Sequence, residues 1–504
     1  MNYLSIMKKL KRFIKVKNIP IMFLIFVTLW LRLANLGYSD YQGDEIKALL
    51  RPADGQSVSE FLLDQRKGPV QFLITYTLGF IDPTFLNQFL FRLPFALAGI
   101  ISVYLFYKLL KYHFNDKVAL YGSLFFSLNG ILVAFSRIVQ YQTVTIMFYL
   151  LALYFFTLAL KVKAWSVKGL YLGMIAWAVS ILAHFDGGFI APFAFYIFFR
   201  WFKEVDLPKK EKITHFIFSG LLAGAILGSF FVPYMNNISE ATEDYWLNRV
   251  VDTGAKISSS IVTYKAYNPM YIFYAFVGFV ALSIAKIKKN WSLVLWAAFP
   301  LFIWEVVTDV PGTHIYNYLI PLFGLAGFGV TVLEDLLSKY IKKYSCHLSY
   351  LGLSVLFVFA FCLSNRVFVD HSVEYPWEEE TFMFRTMRKP NPIFHLSLFG
   401  FPYNRGWEEI QTFVSENNNG AFSTNERPSI PRFYIGLPKA TDKAGPYVSI
   451  VNPQSFAAEL LQSKAKYWGS QYEPDRIIYR DGEIVARIYM MIPGQLEDVR
   501  NAGY

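Results

Sequence analysis

The stretch Phe91–Gln142, FRLPFALAGIISVYLFYKLLKYHFNDKVALYGSLFFSLNGILVAFSRIVQYQ, decides how the rest of the chain is read. Its two apolar runs, at roughly 86–108 and 118–135, are about as long as a helix must be to cross a bilayer core, which takes roughly 20 residues. Lys108, Lys111 and Lys117 stand between the runs, and Arg92 and Arg137 stand at their far ends. Cytoplasmic connections collect Lys and Arg, so the lysine-bearing turn faces inward and the opposite ends of both helices face outward.

The same alternation continues on both sides of this stretch. Apolar runs predict helices at roughly 19–35, 86–108, 118–135, 143–160, 168–183, 188–202, 213–234, 269–285, 291–307, 314–333 and 348–365, about eleven spans in all. Basic connections at Lys8–Lys17, Lys108–Lys117, Lys161–Lys168, Arg200–Lys212, Lys286–Lys289 and Lys339–Lys343 alternate with turns that lack such charge. His184–Gly187 and Asp309–Thr313 carry no Lys or Arg, and Ser136–Gln142 carries only Arg137. Both sets give one orientation, with the N-terminus cytoplasmic and the C-terminus outside. KKLKRFIKVK at the start is followed by an apolar run without a small-residue cleavage site, so it reads as the flank of an uncleaved first helix.

Composition agrees. The 504 residues are 54% hydrophobic and 17% charged, a balance that needs lipid to cover it. The net charge of +11 is distributed between apolar runs rather than gathered in a patch, so it marks topology and not a nucleic-acid partner. Cys346 and Cys362 lie near the last span, which excludes a disulfide framework and a CxxC metal pair in the outer segments. The chain has no GxxxxGK[ST] loop, no GxGxxG after a strand and no HExxH, which argues against an ATP-driven pump.

The expected fold is therefore a mainly α polytopic membrane protein with a C-terminal extracytoplasmic α/β domain. Residues 1–366 form the membrane portion, with outer loops at about 36–85 and 235–268, and 367–504 form the soluble domain. In that domain Trp407, Ile410, Phe413 and Val414 recur at helical spacing, and IIYRDGEIVARIYM alternates around an Asp481-Gly482 hairpin turn. Proline and polar residues between Tyr375 and Arg405 read as a linker or approach segment.

Chemistry is expected on the outer face. Asp44 and Glu45 in NLGYSDYQGDEIKALL offer a general base, or are solvated carboxylates of a helix start. Arg66-Lys67 and Arg92 form a cluster of cations suited to phosphate, although an arginine at Arg92 can also snorkel at the interface. Arg137 lies on the outer side against the charge bias and calls for a partner. His184 and Asp186 in AHFDGG and His314 in PGTHIYNY occupy the remaining outer turns, where a single His often makes only a structural hydrogen bond.

Asp44-Glu45, Lys67-Gly68-Pro69, RLPFALAGI, AFSRIVQYQT, AHFDGG and PGTHIYNY, in that order over about residues 20–335, resemble the multi-spanning glycosyltransferases of the C-type fold. The likeness is to glycosyltransferase family 39, the protein O-mannosyltransferases and the lipid A aminoarabinose transferases. GWEEIQTFV is similar to the start of the extracytoplasmic domain in bacterial and archaeal members. The resemblance implies inverting transfer of a sugar from a polyprenyl-phosphate carrier to an acceptor hydroxyl on the outer face of the cell membrane. It makes Asp44 the base and Lys67 a phosphate contact. Arg92 and Arg137 are further candidates for the donor phosphate, and Glu45, His184, Asp186 and His314 for acceptor or sugar contacts. The partners it implies are the lipid-linked donor, a lipid, glycan or protein acceptor, and the bilayer. No cofactor is assigned and no metal ligand is named; the resemblance leaves a divalent metal open, but Arg66 stands where the aminoarabinose transferases carry a carboxylate that helps hold a metal, which argues against metal dependence and against aminoarabinose as the sugar. The competing readings are a transporter or lipid-glycan flippase, whose signature of internal repeats and mid-helix charges is not evident, and a non-catalytic anchor, which leaves Asp44 and the outer cations without a task.

Overall fold

Helices account for most of the first 368 positions in the computed structural model, which describes residues 18–65, 67–238, 240, 242–244, 265–267, 272–308, 312–340, 345–389, 399–417, 422–437, 445–454, 466–492 and 495. Among these residues six helical stretches are long and apolar enough to cross a membrane: Gln88–His113, Tyr141–Lys161, Lys209–Asn236, Ala275–Val307, Gly312–Tyr340 and Tyr350–Phe368. Ile19–Leu33, Val70–Gly79 and Lys168–Ala183 are shorter apolar helices. The runs expected at 269–285 and 291–307 join through a 3-10 turn, Ile284–Lys286, so the expected lysine-bearing connection costs barely one turn. The run at 118–135 divides into Asp116–Leu128 and Gly130–Phe135, because Asn129 takes an extended conformation and its side chain caps the second piece through the Leu132 N–H.

The chain divides into two units. The first comprises residues 1–34, 51–74 and 93–365 and holds most of the membrane helices. Within it Lys168–Ala183 packs on Tyr141–Lys161, and Tyr316–Tyr340 packs on Asp116–Leu128, Ile272–Ser283 and Ile287–Phe302. Small residues allow that last helix to approach closely: a Cβ on Gly327 would lie 2.7 Å from the Val118 carbonyl oxygen and 2.8 Å from the Gly122 nitrogen. Phe195, Phe199, Ile217, Phe218 and Leu221 are exposed on the outer helices of the unit, as side chains that face acyl chains should be.

The second unit comprises residues 35–50, 75–92 and 366–504. Its four-stranded sheet has the order β1-β2-β4-β3, with β1 Ser423–Thr424, β2 Gly445–Ile450, β3 Arg476–Arg480 and β4 Glu483–Met491; β1 is parallel to β2 and the other pairs are antiparallel. β3 and β4 form the expected hairpin, and Asp481 (φ 50°) and Gly482 (φ 89°) both take the left-handed conformation of its two-residue turn. The expected helix is Trp407–Asn417, with Trp407, Ile410 and Val414 buried. The stretch read as a linker is partly core: Phe399, Phe401, Tyr403 and Arg405 are buried. It runs beside the first loop, where the Asp40 N–H donates to the Tyr403 carbonyl at 2.8 Å and the Arg405 N–H to Asp40 Oδ2 at 2.6 Å. Such hydrogen bonds tie residues 35–50 to this unit, which spacing along the sequence does not reveal.

Candidate functional site

In the first unit the candidate residues gather around two turns. Lys67-Gly68-Pro69 leads into the helix Val70–Gly79. Gly68 lies so close to the end of Lys168–Ala183 that a Cβ there would fall 1.8 Å from the Leu182 carbonyl oxygen. Only glycine fits, and this close approach fixes Lys67 beside the following turn. Lys67 Nζ donates to Gln140 Oε1 at 3.0 Å and lies over the Tyr141 ring, 4.9 Å from its centroid. The other face of this arrangement is His184, whose ring stacks on Tyr141 at 4.0 Å with an 11° tilt.

His184 ends Lys168–Ala183 in an extended conformation and begins the 3-10 turn Phe185–Ile190, which buries Asp186 completely. A second 3-10 turn, Gly312–Ile315, brings His314 to the same carboxylate from 128 positions away. His314 Nδ1 lies 2.7 Å from Asp186 Oδ2, which also accepts the Tyr316 hydroxyl in a very short hydrogen bond. His184 Nδ1 lies 3.1 Å from Asp186 Oδ1. Trp304 stacks on the far side of His314 at 4.4 Å and 9°. Burial pushes the His184 imidazole down to about 4, against the opposing pull of Asp186, so it is neutral at neutral pH. Burial pushes Asp186 up, but the imidazoles of His314 and His184 outweigh it and hold this carboxyl below the usual carboxylate range.

Three residues expected separately as sugar or acceptor contacts thus form one cluster, and their ligating atoms all lie within 4.8 Å of one another. The sequence reading named none of the three as a metal ligand. Gln140, Tyr141 and Tyr316, which complete the cluster, were not singled out from the sequence; their only signal was that they neighbour residues that were. Arg137 is buried, and its Nη1 donates to the carbonyls of Leu31 at 3.0 Å and Ala34 at 2.8 Å. It closes the C-terminal end of Ile19–Leu33, where the carbonyls and the helix dipole favour a cation.

The second unit holds Asp44, Glu45 and Arg92. Gly43–Ala48 begins with a capping box: Gln42 Oε1 accepts the Asp44 N–H at 2.8 Å and Glu45 Oε2 accepts the Gln42 N–H at 2.8 Å. Alternate directions on this short helix separate the two carboxylates. Asp44 points outward, 45% exposed, and pairs with the exposed Lys47 at 2.8 Å. Glu45 is fully buried against Arg92, with Nε to Oε1 at 2.8 Å and Nη2 to Oε2 at 2.9 Å. Arg92 also donates to the carbonyls of Leu36 at 3.2 Å, Ser39 at 2.9 Å and Asp40 at 2.9 Å, so all five of its N–H groups are engaged. Arg92 and Glu45 were expected at the phosphate and the acceptor; in the structure they bind each other and the loop backbone, because a buried charge needs a full set of partners.

Residues 73–227 match the family of dolichyl-phosphate-mannose-protein mannosyltransferases. The fold is similar to that of ArnT from Cupriavidus metallidurans bound to undecaprenyl phosphate, at 11% identity and a TM-score of 0.53, covering 93% of this chain and 97% of that one. The chain has the C-type glycosyltransferase fold. Archaeal oligosaccharyltransferase AglB from Archaeoglobus fulgidus, solved with an inhibitory peptide and a dolichol-phosphate, shares it at 10% identity and a TM-score of 0.50, over 86% of this chain and 69% of that one. No curated protein matches by sequence. C-type glycosyltransferases are multi-pass membrane proteins, and the apolar helices described above agree.

Proposed function

We propose that this protein is an inverting glycosyltransferase that moves a sugar from a polyprenyl-phosphate carrier to a hydroxyl of a lipid, glycan or protein on the outer face of the cell membrane. The observation that carries this reading is Lys67, a cation held by its glycine-fixed turn, in a fold whose Cupriavidus relative was solved with undecaprenyl phosphate. In the proposed step the acceptor oxygen attacks the anomeric carbon while the bond to the phosphate oxygen breaks. Asp44 receives the acceptor proton, and Lys67 offsets the charge that grows on the departing polyprenyl phosphate. Arg92 and Glu45 have no part in the step and instead hold the loop that carries Asp44. Arg137 anchors a helix end.

Lys67→Ala is expected to weaken donor binding about 10- to 100-fold, as loss of a charge-assisted contact of about 1.5–3 kcal/mol implies, with the fold retained. Binding of polyprenyl-phosphate sugar to purified protein in nanodiscs measures it. Unchanged binding would move the phosphate site elsewhere in the molecule. Transfer itself is tested by mass spectrometry of lipid-linked sugars and envelope glycans in cells with and without the protein; accumulation of the donor on one side only, with no missing product, would favour a flippase.

The orientation has its own test. In a background with Cys346 and Cys362 changed to serine, Ser415→Cys and Ser470→Cys occupy exposed positions and should react with a membrane-impermeant thiol reagent in intact cells, or in spheroplasts where an outer membrane exists. Ser338→Cys, also exposed, should react only after lysis. The reverse pattern would put Asp44 in the cytoplasm and end the outer-face mechanism.

A further inference from the structure

The Asp186 N–H points at His184 Nδ1 from 3.3 Å, so this nitrogen accepts a hydrogen bond and presents a lone pair. The same nitrogen stands 3.1 Å from Asp186 Oδ1, a fully buried oxygen with no other donor within hydrogen-bond distance among the described residues. His314 Nδ1 completes a buried set whose ligand-type atoms all lie within 4.8 Å of one another. A cation held among these atoms offsets the cost of burying a carboxylate with an incomplete set of partners.

We propose that His184, Asp186 and His314 bind a divalent transition metal ion of the zinc type. Two imidazole nitrogens and one carboxylate suit zinc and its neighbours, whereas magnesium and calcium favour oxygen ligands throughout. In a tetrahedral site with bonds of about 2.0–2.1 Å, ligand atoms stand about 3.3 Å apart, close to the 3.1 Å between His184 Nδ1 and Asp186 Oδ1. His314 Nδ1, 2.7 Å from Oδ2, moves away slightly when the ion enters. The surrounding groups are those a metal site uses to hold its ligands: the Tyr316 hydroxyl on the carboxylate, Tyr141 stacked on one imidazole and Trp304 on the other. Three protein ligands leave a fourth position for water or another oxygen ligand. Neither the metal's presence nor its test depends on the transfer reaction.

The full-length protein in detergent, stripped with chelator and then dialysed against zinc chloride, is expected to retain one equivalent of zinc by elemental analysis. Changes outside the ligand set alone weaken metal sites about 10- to 100-fold, so Asp186→Asn and His184→Gln, which remove a direct ligand, are expected to weaken zinc binding by at least about 100-fold in a competition titration with a chelating dye. Asp44→Asn should retain zinc fully. Should either ligand variant fail to fold, X-ray absorption at the zinc edge of the parent protein decides: histidine nitrogens plus oxygen support the site, and sulfur ligation or an all-oxygen shell overturns it. A parent protein that takes up no zinc, or ligand variants that keep parental affinity, would also overturn it. Loss of transfer with zinc retained, or zinc lost with transfer intact, separates this assignment from the proposed reaction.

Discussion

Asp44→Asn is expected to lower glycosyl transfer by about 10²- to 10⁴-fold while leaving donor binding near the parental value. Asparagine has nearly the shape of aspartate and still permits the hydrogen bond from the Asp44 N–H to Gln42, so the helix Gly43–Ala48 should persist. What disappears is the capacity to accept a proton. The ion pair to Lys47 does not protect Asp44 from an acceptor, because both side chains are largely solvated and such pairs contribute only about 0–1 kcal/mol. Lys47→Ala should therefore leave the rate within a few-fold of the parent. The measurement is initial transfer rate at saturating polyprenyl-phosphate sugar, with binding of the donor followed separately. Parental turnover by Asp44→Asn would remove the base from the mechanism and strengthen the flippase reading.

Arg92→Ala is expected to cost about 3–5 kcal/mol of stability, since it leaves Glu45 charged and buried without its partner. It also strips the hydrogen bonds that hold the Leu36, Ser39 and Asp40 carbonyls. Activity should fall because the loop carrying Asp44 loses its support. Replacing both partners together, as Arg92→Met with Glu45→Leu, should cost less than Arg92→Ala alone, because no charge is left stranded. Thermal unfolding of the purified variants measures both. An Arg92→Ala protein that melts like the parent yet fails to bind donor would restore the phosphate role that its position in the sequence first implied.

The difference between the two carboxylates was not legible in GDEIKA. Asp44 and Glu45 are neighbours, and spacing alone makes either one the base; burial decides, by turning Glu45 toward Arg92 and leaving Asp44 at the surface. The side of the membrane for Arg137 was expected from charge bias, but its partners are carbonyls at a helix end, and a carbonyl has no residue signature. Lys67 stood out in the sequence because a cation before Gly-Pro at the start of an apolar helix resembles a known pattern. The need for Gly68 itself comes from the Leu182 carbonyl, far away in the chain.

Apolar runs, basic turns, the Trp407–Asn417 helix and the Asp481-Gly482 hairpin were all determined by sequence alone, because each depends on a local sum: transfer of a run of side chains into lipid, helical periodicity, or a turn that two residues can make. The meeting of Asp186 with His314, the closure of Arg92 on Glu45 and the inclusion of residues 35–50 with the C-terminal part were decided only in three dimensions. Those pairings arise when buried polar groups must find directional partners, and the partner that packing brings within hydrogen-bond distance can lie anywhere along the chain.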